Sequence, residues 1–205
     1  MIFLIYIIIS AILSYLLGSI NTAVIVSKKR FGKDIRNEGS GNAGATNTLR
    51  TFGKKAAALV FVADFIKGLI AVTVARLFVF YSDAPYICLL FAGFSVQIGH
   101  CFPVFFNFKG GKGVATAAGA AMGIMPFVAI ILLSVFAVIT ALTKIVSLAS
   151  GICAVVYPLL AYFISNSNQK TNFLFAAACS VLIIVMHGSN FARLIDGNEK
   201  PISSK

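Results

Sequence analysis

The sequence predicts an all-α integral membrane protein with seven transmembrane helices, its amino terminus outside and its carboxyl terminus cytoplasmic. Three observations lead there. Of 205 residues, 59% are hydrophobic and only 11% charged, less than half the roughly 25% charge of a soluble domain. Apolar runs recur that are long enough to cross about 30 Å of hydrocarbon at about 1.5 Å per residue. The charges fall in clusters between those runs, as they must when a charge at mid-bilayer costs about 3 kcal/mol on insertion scales. The formal net charge of +11, from 17 Lys and Arg against 6 Asp and Glu, therefore reads as loops held on the cytoplasmic side, not as a nucleic-acid surface. Low charge also excludes a disordered chain.

The first span is Ile2 to Val26. No basic residue precedes it, and Lys28, Lys29, Arg30, Lys33 and Arg36 follow it. A secretory signal has the opposite charge order and a shorter apolar core, so this segment is a retained helix. A polar stretch from Ser27 to Lys55 follows, containing GSGNAGATNTLR. Ala56 to Phe80 forms the second span and ends in the turn Ser82-Asp83-Ala84-Pro85; Tyr86 to about Phe106 returns and ends in NFKGGKG. Residues Val114 to Ile164 divide into three short spans, at Met125-Pro126, where proline interrupts a helix, and at Thr143-Lys144. The last span, Asn172 to about Met186, leads into the tail HGSNFARLIDGNEK. With seven spans, 14 basic residues lie on the cytoplasmic side, Lys170 alone lies outside, and Lys67 and Arg76 lie within the second span. Six spans would place Arg193, Lys200 and Lys205 outside, so seven fits better.

Four cysteines, Cys88, Cys101, Cys153 and Cys179, stand singly inside apolar runs. They read as small hydrophobes and not as a disulfide framework or metal site.

Seven spans put three polar strings on one membrane face. The first, Gly39 to Arg50, holds Gly39, Gly41 and Gly44 with Ser40, Asn42, Thr46, Asn47 and Arg50. Glycines let a backbone approach an anion, and short neutral side chains add hydrogen bonds. Its formal GxGxxG spacing lacks the preceding strand and βαβ unit of a dinucleotide site and is rejected as one. The second, Phe108-Lys109-Gly110-Gly111-Lys112-Gly113, leads straight into an apolar helix. It is no Walker loop, but free N–H groups at a helix start, three glycines and two lysines suit a phosphate dianion. The third, His187 to Arg193, places His187, Asn190 and Arg193 three residues apart, near one face of a helix. Together they suit an oxyanion and a proton transfer.

Asp64 and Lys67 lie one turn apart inside the second span, must pair or face a polar cavity, and are expected among the substrate-binding residues. Ser147 and Ser150 follow Lys144 on the same membrane side and offer hydroxyls to a phosphate site. His100 reads as a hydrogen-bonded packing residue, and the Gly119-x-x-x-Gly123 stripe as a close helix contact.

At these strings the chain resembles the PlsY family, the bacterial acyl-phosphate-dependent glycerol-3-phosphate acyltransferases. The resemblance covers nearly the whole length and rests on GSGNAGATNTLR, DFIKG, GHCFPVFFNFKGGKGVAT and HGSNFARL…GNE in the family's order. It implies a seven-helix inner-membrane enzyme with its site towards the cytoplasm. Such an enzyme moves a fatty acyl group from acyl phosphate to the sn-1 hydroxyl of glycerol 3-phosphate, giving lysophosphatidic acid and inorganic phosphate. By position, phosphate binding would fall to Ser40, Asn42, Thr46, Asn47 and Arg50, to Gly110, Gly111 and Lys112, and to His187, Asn190 and Arg193, with Gly41, Lys109 and Gly113 also contacting substrate; of these, His187, Asn190, Lys112, Arg50 and Ser40 would be catalytic. Two departures stand out: Ala43 where the family usually has Pro, which should loosen the loop, and Gly188 where it often has Arg, which should shift anion binding onto Arg193. No cofactor, metal or obligate protein partner is implied.

The chemistry accords with the residues. Both reactants carry phosphate, and an acyl phosphate has a good leaving group, so positioning and charge stabilisation supply most of the catalysis. The HxxxxD pair of the other acyltransferase class is missing, since Phe105 and Ala192 stand five residues after His100 and His187. Either His187 or a phosphate oxygen of the donor takes the hydroxyl proton. The competing class is a small-anion carrier, which would show half-repeats and helices broken near mid-membrane.

Overall fold

The computed structural model describes residues 2–82, 84–165 and 168–202. Asp83 of the predicted turn and Lys205 of the predicted cytoplasmic set lie outside the described residues. The structure is helical, and six stretches are long and apolar enough to cross a membrane: Ile2–Phe31, Lys54–Tyr81, Ile87–Phe106, Pro126–Thr143, Val146–Ile164 and Gln169–Met186. A seventh apolar helix, Val114–Ile124, is shorter, about 16 Å at 1.5 Å per residue.

The first stretch is not the continuous helix expected over Ile2 to Val26. Helix α1 (Ile2–Gly18) stops, and α2 (Thr22–Phe31) restarts after Asn21, whose Oδ1 accepts from Val24 N–H at 3.1 Å as a helix cap. The Ser19 hydroxyl turns back onto the Tyr15 carbonyl at 2.8 Å. This break leaves the carbonyls of Gly18 and Ile20 free of helical partners, and a buried side chain uses them.

After α2 come a 3₁₀ turn (Ile35–Asn37), the short helix α3 (Ala45–Phe52), the long α4 (Lys54–Tyr81) and α5 (Ile87–Cys101). Pro103 ends the helical run predicted to reach Phe106, leaving a 3₁₀ turn at Val104–Phe106. Both predicted divisions of the next region hold: α6 (Val114–Ile124) ends before Pro126, and α7 (Pro126–Thr143) ends at Lys144, which takes a left-handed conformation. α8 (Val146–Ile164) and α9 (Gln169–Met186) complete the long helices, and α10 (Gly188–Ile195) carries the third string.

Packing inverts the soluble pattern. Large side chains such as Phe127, Leu142 and Phe163 face outward, while alanine and glycine bring backbones together inside. A Cβ at Gly119 would strike the Phe65 carbonyl and one at Gly68 the Thr116 carbonyl, so α4 and α6 meet at backbone distance. The Gly119–Gly123 stripe is thus the helix contact expected of it. Cys88, Cys101 and Cys179 are buried and Cys153 is half-buried.

The helix ends sort into two layers. At one end the Tyr86 hydroxyl donates to Asn172 Oδ1 at 2.8 Å, Asn172 Nδ2 donates to Ser165 Oγ at 3.1 Å, and Arg76 donates to the Gly123 carbonyl. The carboxyl ends of α5, α7 and α9 and the amino ends of α6 and α8 gather at the other end, around a polar cavity. Short α6 runs from that cavity to the far layer.

Candidate active site

The cavity, about 890 Å³, is walled by all three polar strings. Ser40, Gly41, Asn42, Thr46, Asn47 and Arg50 come from the first string, Gly110 and Lys112 from the second, and His187, Asn190 and Arg193 from the third; Ser147 joins them from α8. A smaller space of about 90 Å³ next to it, the neck, adds Asp64, Gly113 and Ser150, and is also lined by Asn42, His100, Lys112 and His187. Lys67, Lys109 and Gly111 line neither space: Lys109 is exposed, and the other two are buried against protein.

The first string is a shaped loop. Gly39 and Gly41 hold left-handed φ of 59° and 73°. Asn47 secures it from within, accepting the Ser40 N–H at 2.9 Å and donating to the carbonyls of Glu38 at 2.9 Å and Ile35 at 3.2 Å. The Asn47 amide is committed to the backbone, so it shapes the wall that Ser40 and Thr46 present. Ala43, at the family's proline position, is fully buried, so burial anchors the loop where a ring would. Arg36 ties this loop to the second string, donating to the Phe106 carbonyl at 2.8 Å while paired with Asp34 at 2.7 Å. Its hydrogen bonds hold the Asp34 carboxyl well below the usual carboxylate range.

In the second string the glycines serve a different end from the one predicted. The Gly110 and Gly111 N–H groups donate to the carbonyls of Cys101 at 3.2 Å and His100 at 3.1 Å, capping α5. A Cβ at Gly110 would strike the His100 carbonyl, and one at Gly111 the His100 ring. These glycines permit close packing, and their amides are not aimed at an anion. The free donors lie further on. Gly113 turns with φ of 77°, the first α6 bond runs from Ala117 N–H to the Gly113 carbonyl at 2.8 Å, and the amides before it have no helical partner. Lys112 reaches into the cavity and donates to Asn190 Oδ1. Burial pushes its pKa down to about 8, with Glu199 opposing and Arg193 and Arg50 adding to the shift.

The third string is helical as required. His187 Nδ1 lies 2.8 Å from the Ile183 carbonyl, which can only accept, so Nδ1 carries the proton and Nε2 is left as an acceptor. Burial, aided by the Lys112 charge, pushes its pKa down to about 4, so the ring is neutral at pH 7. A Cβ at Gly188 meets open space, so the missing arginine leaves a gap and not a repacked wall.

Sequence reasoning missed Glu199. The tail folds back over the cavity mouth: Glu199 Oε1 accepts from Ser147 Oγ at 2.8 Å and Oε2 from Arg193 Nε at 2.8 Å, and Asn190 Nδ2 also donates to this carboxylate. Burial works against the carboxylate, but these hydrogen bonds outweigh it and lower its pKa. Arg50 holds the same tail through the Lys200 carbonyl at 2.6 Å. The one local hint was an acid, in GNE, next to Lys200.

Asp64 and Lys67 do pair, at 2.9 Å, but deep in the bundle. Lys67 Nζ also donates to His100 Nδ1 at 2.9 Å and to the freed carbonyls of Ile20 at 3.0 Å and Gly18 at 3.1 Å. Thr22 adds a donor to Asp64 at 3.3 Å. Lys67 is 5% exposed and lines neither space. His100 is the hydrogen-bonded packing residue expected of it, 4% exposed, and its carbonyl accepts from Gly111 N–H at 3.1 Å.

Beyond the neck an apolar groove continues between α6, α7 and α8, past Val114, Phe136 and Ser150. A charged, donor-rich cavity thus meets an apolar groove at a neck that shares lining residues with both.

A helical membrane protein with a basic, donor-rich cavity beside an apolar groove is the class these features define. The chain matches the family model described as glycerol-3-phosphate acyltransferase over residues 8–197. It is 42% identical over 200 residues to the glycerol-3-phosphate acyltransferase of Thermoanaerobacter sp. (strain X514), covering 98% of each chain. It is 40% identical to that of Clostridioides difficile (strain 630), covering 97% of this chain and 96% of the relative. Two crystal structures of PlsY, an integral membrane glycerol 3-phosphate acyltransferase, share the fold. Its glycerol 3-phosphate form is 37% identical with a TM-score of 0.86, covering 96% of each chain. Its lysophosphatidic acid form is 34% identical with a TM-score of 0.84, covering 97% of this chain and 96% of the other. The chain belongs to the glycerol-3-phosphate acyltransferase family.

Proposed function

We propose that this protein transfers a fatty acyl group from acyl phosphate to the sn-1 hydroxyl of glycerol 3-phosphate at the cytoplasmic face of a bacterial inner membrane. The observation that carries the reading is the join between the cavity that holds Lys112, Arg50 and Arg193 and the apolar groove, at a neck lined by His187 and Asn42. Phosphates belong in the first, an acyl chain in the second, and the acyl carbonyl at the neck. The alternation of helix direction, with α6 as a short crossing, supports seven spans, an outside amino terminus and a cytoplasmic cavity. The basic residues around that cavity agree.

In this reading Lys112 and Arg50 balance phosphate charge, and Ser40 and Thr46 orient it. Asn190 is held by Lys112 and Glu199 and fixes the substrate on the third string. His187 Nε2 accepts a hydrogen bond from the attacking hydroxyl. A ring whose pKa is about 4 is a poor proton acceptor at pH 7, which favours a phosphate oxygen of the donor for that task. The hydroxyl oxygen bonds to the acyl carbon, the bond from that carbon to the phosphate oxygen breaks, and inorganic phosphate leaves with the proton.

The test is phosphate release by purified protein in detergent. Release that requires both acyl phosphate and glycerol 3-phosphate, with 1-acyl product identified by NMR, is expected. Release with neither dependence, or equal turnover of acyl-CoA, overturns the donor assignment, and glycerol 3-phosphate binding without turnover favours a carrier.

A further inference from the structure

We infer that the apolar groove reads only about the first eight carbons of the acyl chain, because Ala121, Ala129 and Tyr157 close it about 10 Å from the neck. This rests on the acyl-transfer reading above and adds which part of the chain the protein recognises.

Three helices give the same depth. On α6 the groove runs from Val114 to Ala121, on α7 from Phe136 back to Ala129, and on α8 from Ser150 to Tyr157. Each is a step of seven residues, about 10 Å at a rise of about 1.5 Å. The near residues Val114, Phe136 and Ser150 also line the neck, so the groove begins there. The far residues are sealed: Ala121 and Ala129 are 1% exposed and Tyr157 3%. Between the two ends Ala118, Leu132 and Leu133 are only half-buried, so the flank of the groove opens sideways.

Carbon–carbon bonds of about 1.5 Å at about 111° advance an extended chain by about 1.25 Å per carbon. About eight carbons therefore reach the stop, and the remainder of a longer chain turns out through the open flank. Outside it meets lipid as apolar as the groove wall, so further methylenes neither favour nor oppose binding. Small residues at the stop, two alanines facing one tyrosine, make the depth adjustable by substitution.

The test is a series of acyl phosphates from six to eighteen carbons, presented to the intact enzyme at equal mole fraction in mixed micelles. Expected is a kcat/KM that rises up to about eight to ten carbons and then stays within about threefold. A sharp optimum at a longer chain, or a tenfold change beyond ten carbons, overturns the inference. Ala121→Phe should lower the ratio of twelve-carbon to six-carbon turnover by tenfold or more, and Ala121→Val by less. Misfolding lowers both rates alike and leaves that ratio unmoved, and an unmoved ratio in folded Ala121→Phe also overturns the stop. No turnover of any acyl phosphate by the unaltered protein would sink the reaction assignment itself, a different result from a wrong length profile.

Discussion

The Asp64–Lys67–His100 cluster and the Lys112–Asn190–Glu199–Arg193 cluster both withdraw charge from bulk water, and their chemistry diverges at one point. Around Lys67 every donor ends on protein: a carboxylate, an imidazole and two carbonyls left over from the α1–α2 break. Around Lys112 the partners line one side of a cavity of about 890 Å³ whose other walls are Ser40, Thr46 and Arg50. A cation surrounded by its own fold stabilises that fold. A cation that lines a cavity beside Arg50, Ser40 and Thr46 is the member proposed to meet a phosphate. Two lysines in one chain thus carry opposite functional meanings, and side-chain type alone does not tell them apart.

Four experiments put this contrast at risk. Lys112→Met should cost about 10³ in kcat/KM for glycerol 3-phosphate, the scale of removing one preorganised donor to developing charge, with the thermal unfolding midpoint in detergent nearly unchanged. Lys67→Met should do the reverse in kind. It strands a buried carboxylate and should cost about 3 kcal/mol of stability, read as a lowered unfolding midpoint. An unfolding curve that stays put would mean Lys67 is not the structural member of the pair.

The third experiment is a pH profile. The Lys112 pKa is about 8, below the ordinary lysine value, so the cation is present below that pH and is lost as pH rises through it. kcat/KM, which reports the free enzyme, should fall about tenfold per unit above pH 8. Lys112→Arg should remove that limb because guanidinium stays charged; a limb that persists in the variant assigns it elsewhere. The smallest effect is expected from Gly188→Arg. Open space at Gly188 admits the side chain, and a partly screened new cation near the third string should lower KM for glycerol 3-phosphate about two- to fivefold.

Much of the architecture was legible. Proline at 126 and the left-handed Lys144 divide the later helices where the sequence says they must, because helix termination is decided by a few neighbouring residues. The three polar strings were readable as a set because glycine, lysine and asparagine have no reason to crowd the end of an ordinary span. The role of Gly110 and Gly111 was not, since a glycine needed for backbone approach looks the same whether the neighbour is a phosphate or the His100 carbonyl. Glu199 was illegible for a related reason: its partners Ser147, Asn190 and Arg193 lie on two helices and meet it only when the tail folds back.

Local patterns alone establish that this chain enters lipid, where its later helices divide at Pro126 and Lys144, and which short strings stay polar, since hydrophobicity and turn chemistry act over a few residues. Only the tertiary structure decided which charges satisfy one another and which are left open. Those pairings join positions such as Gly18 with Lys67 and Arg50 with Lys200, and they follow from how small residues let the helices approach, not from any local pattern.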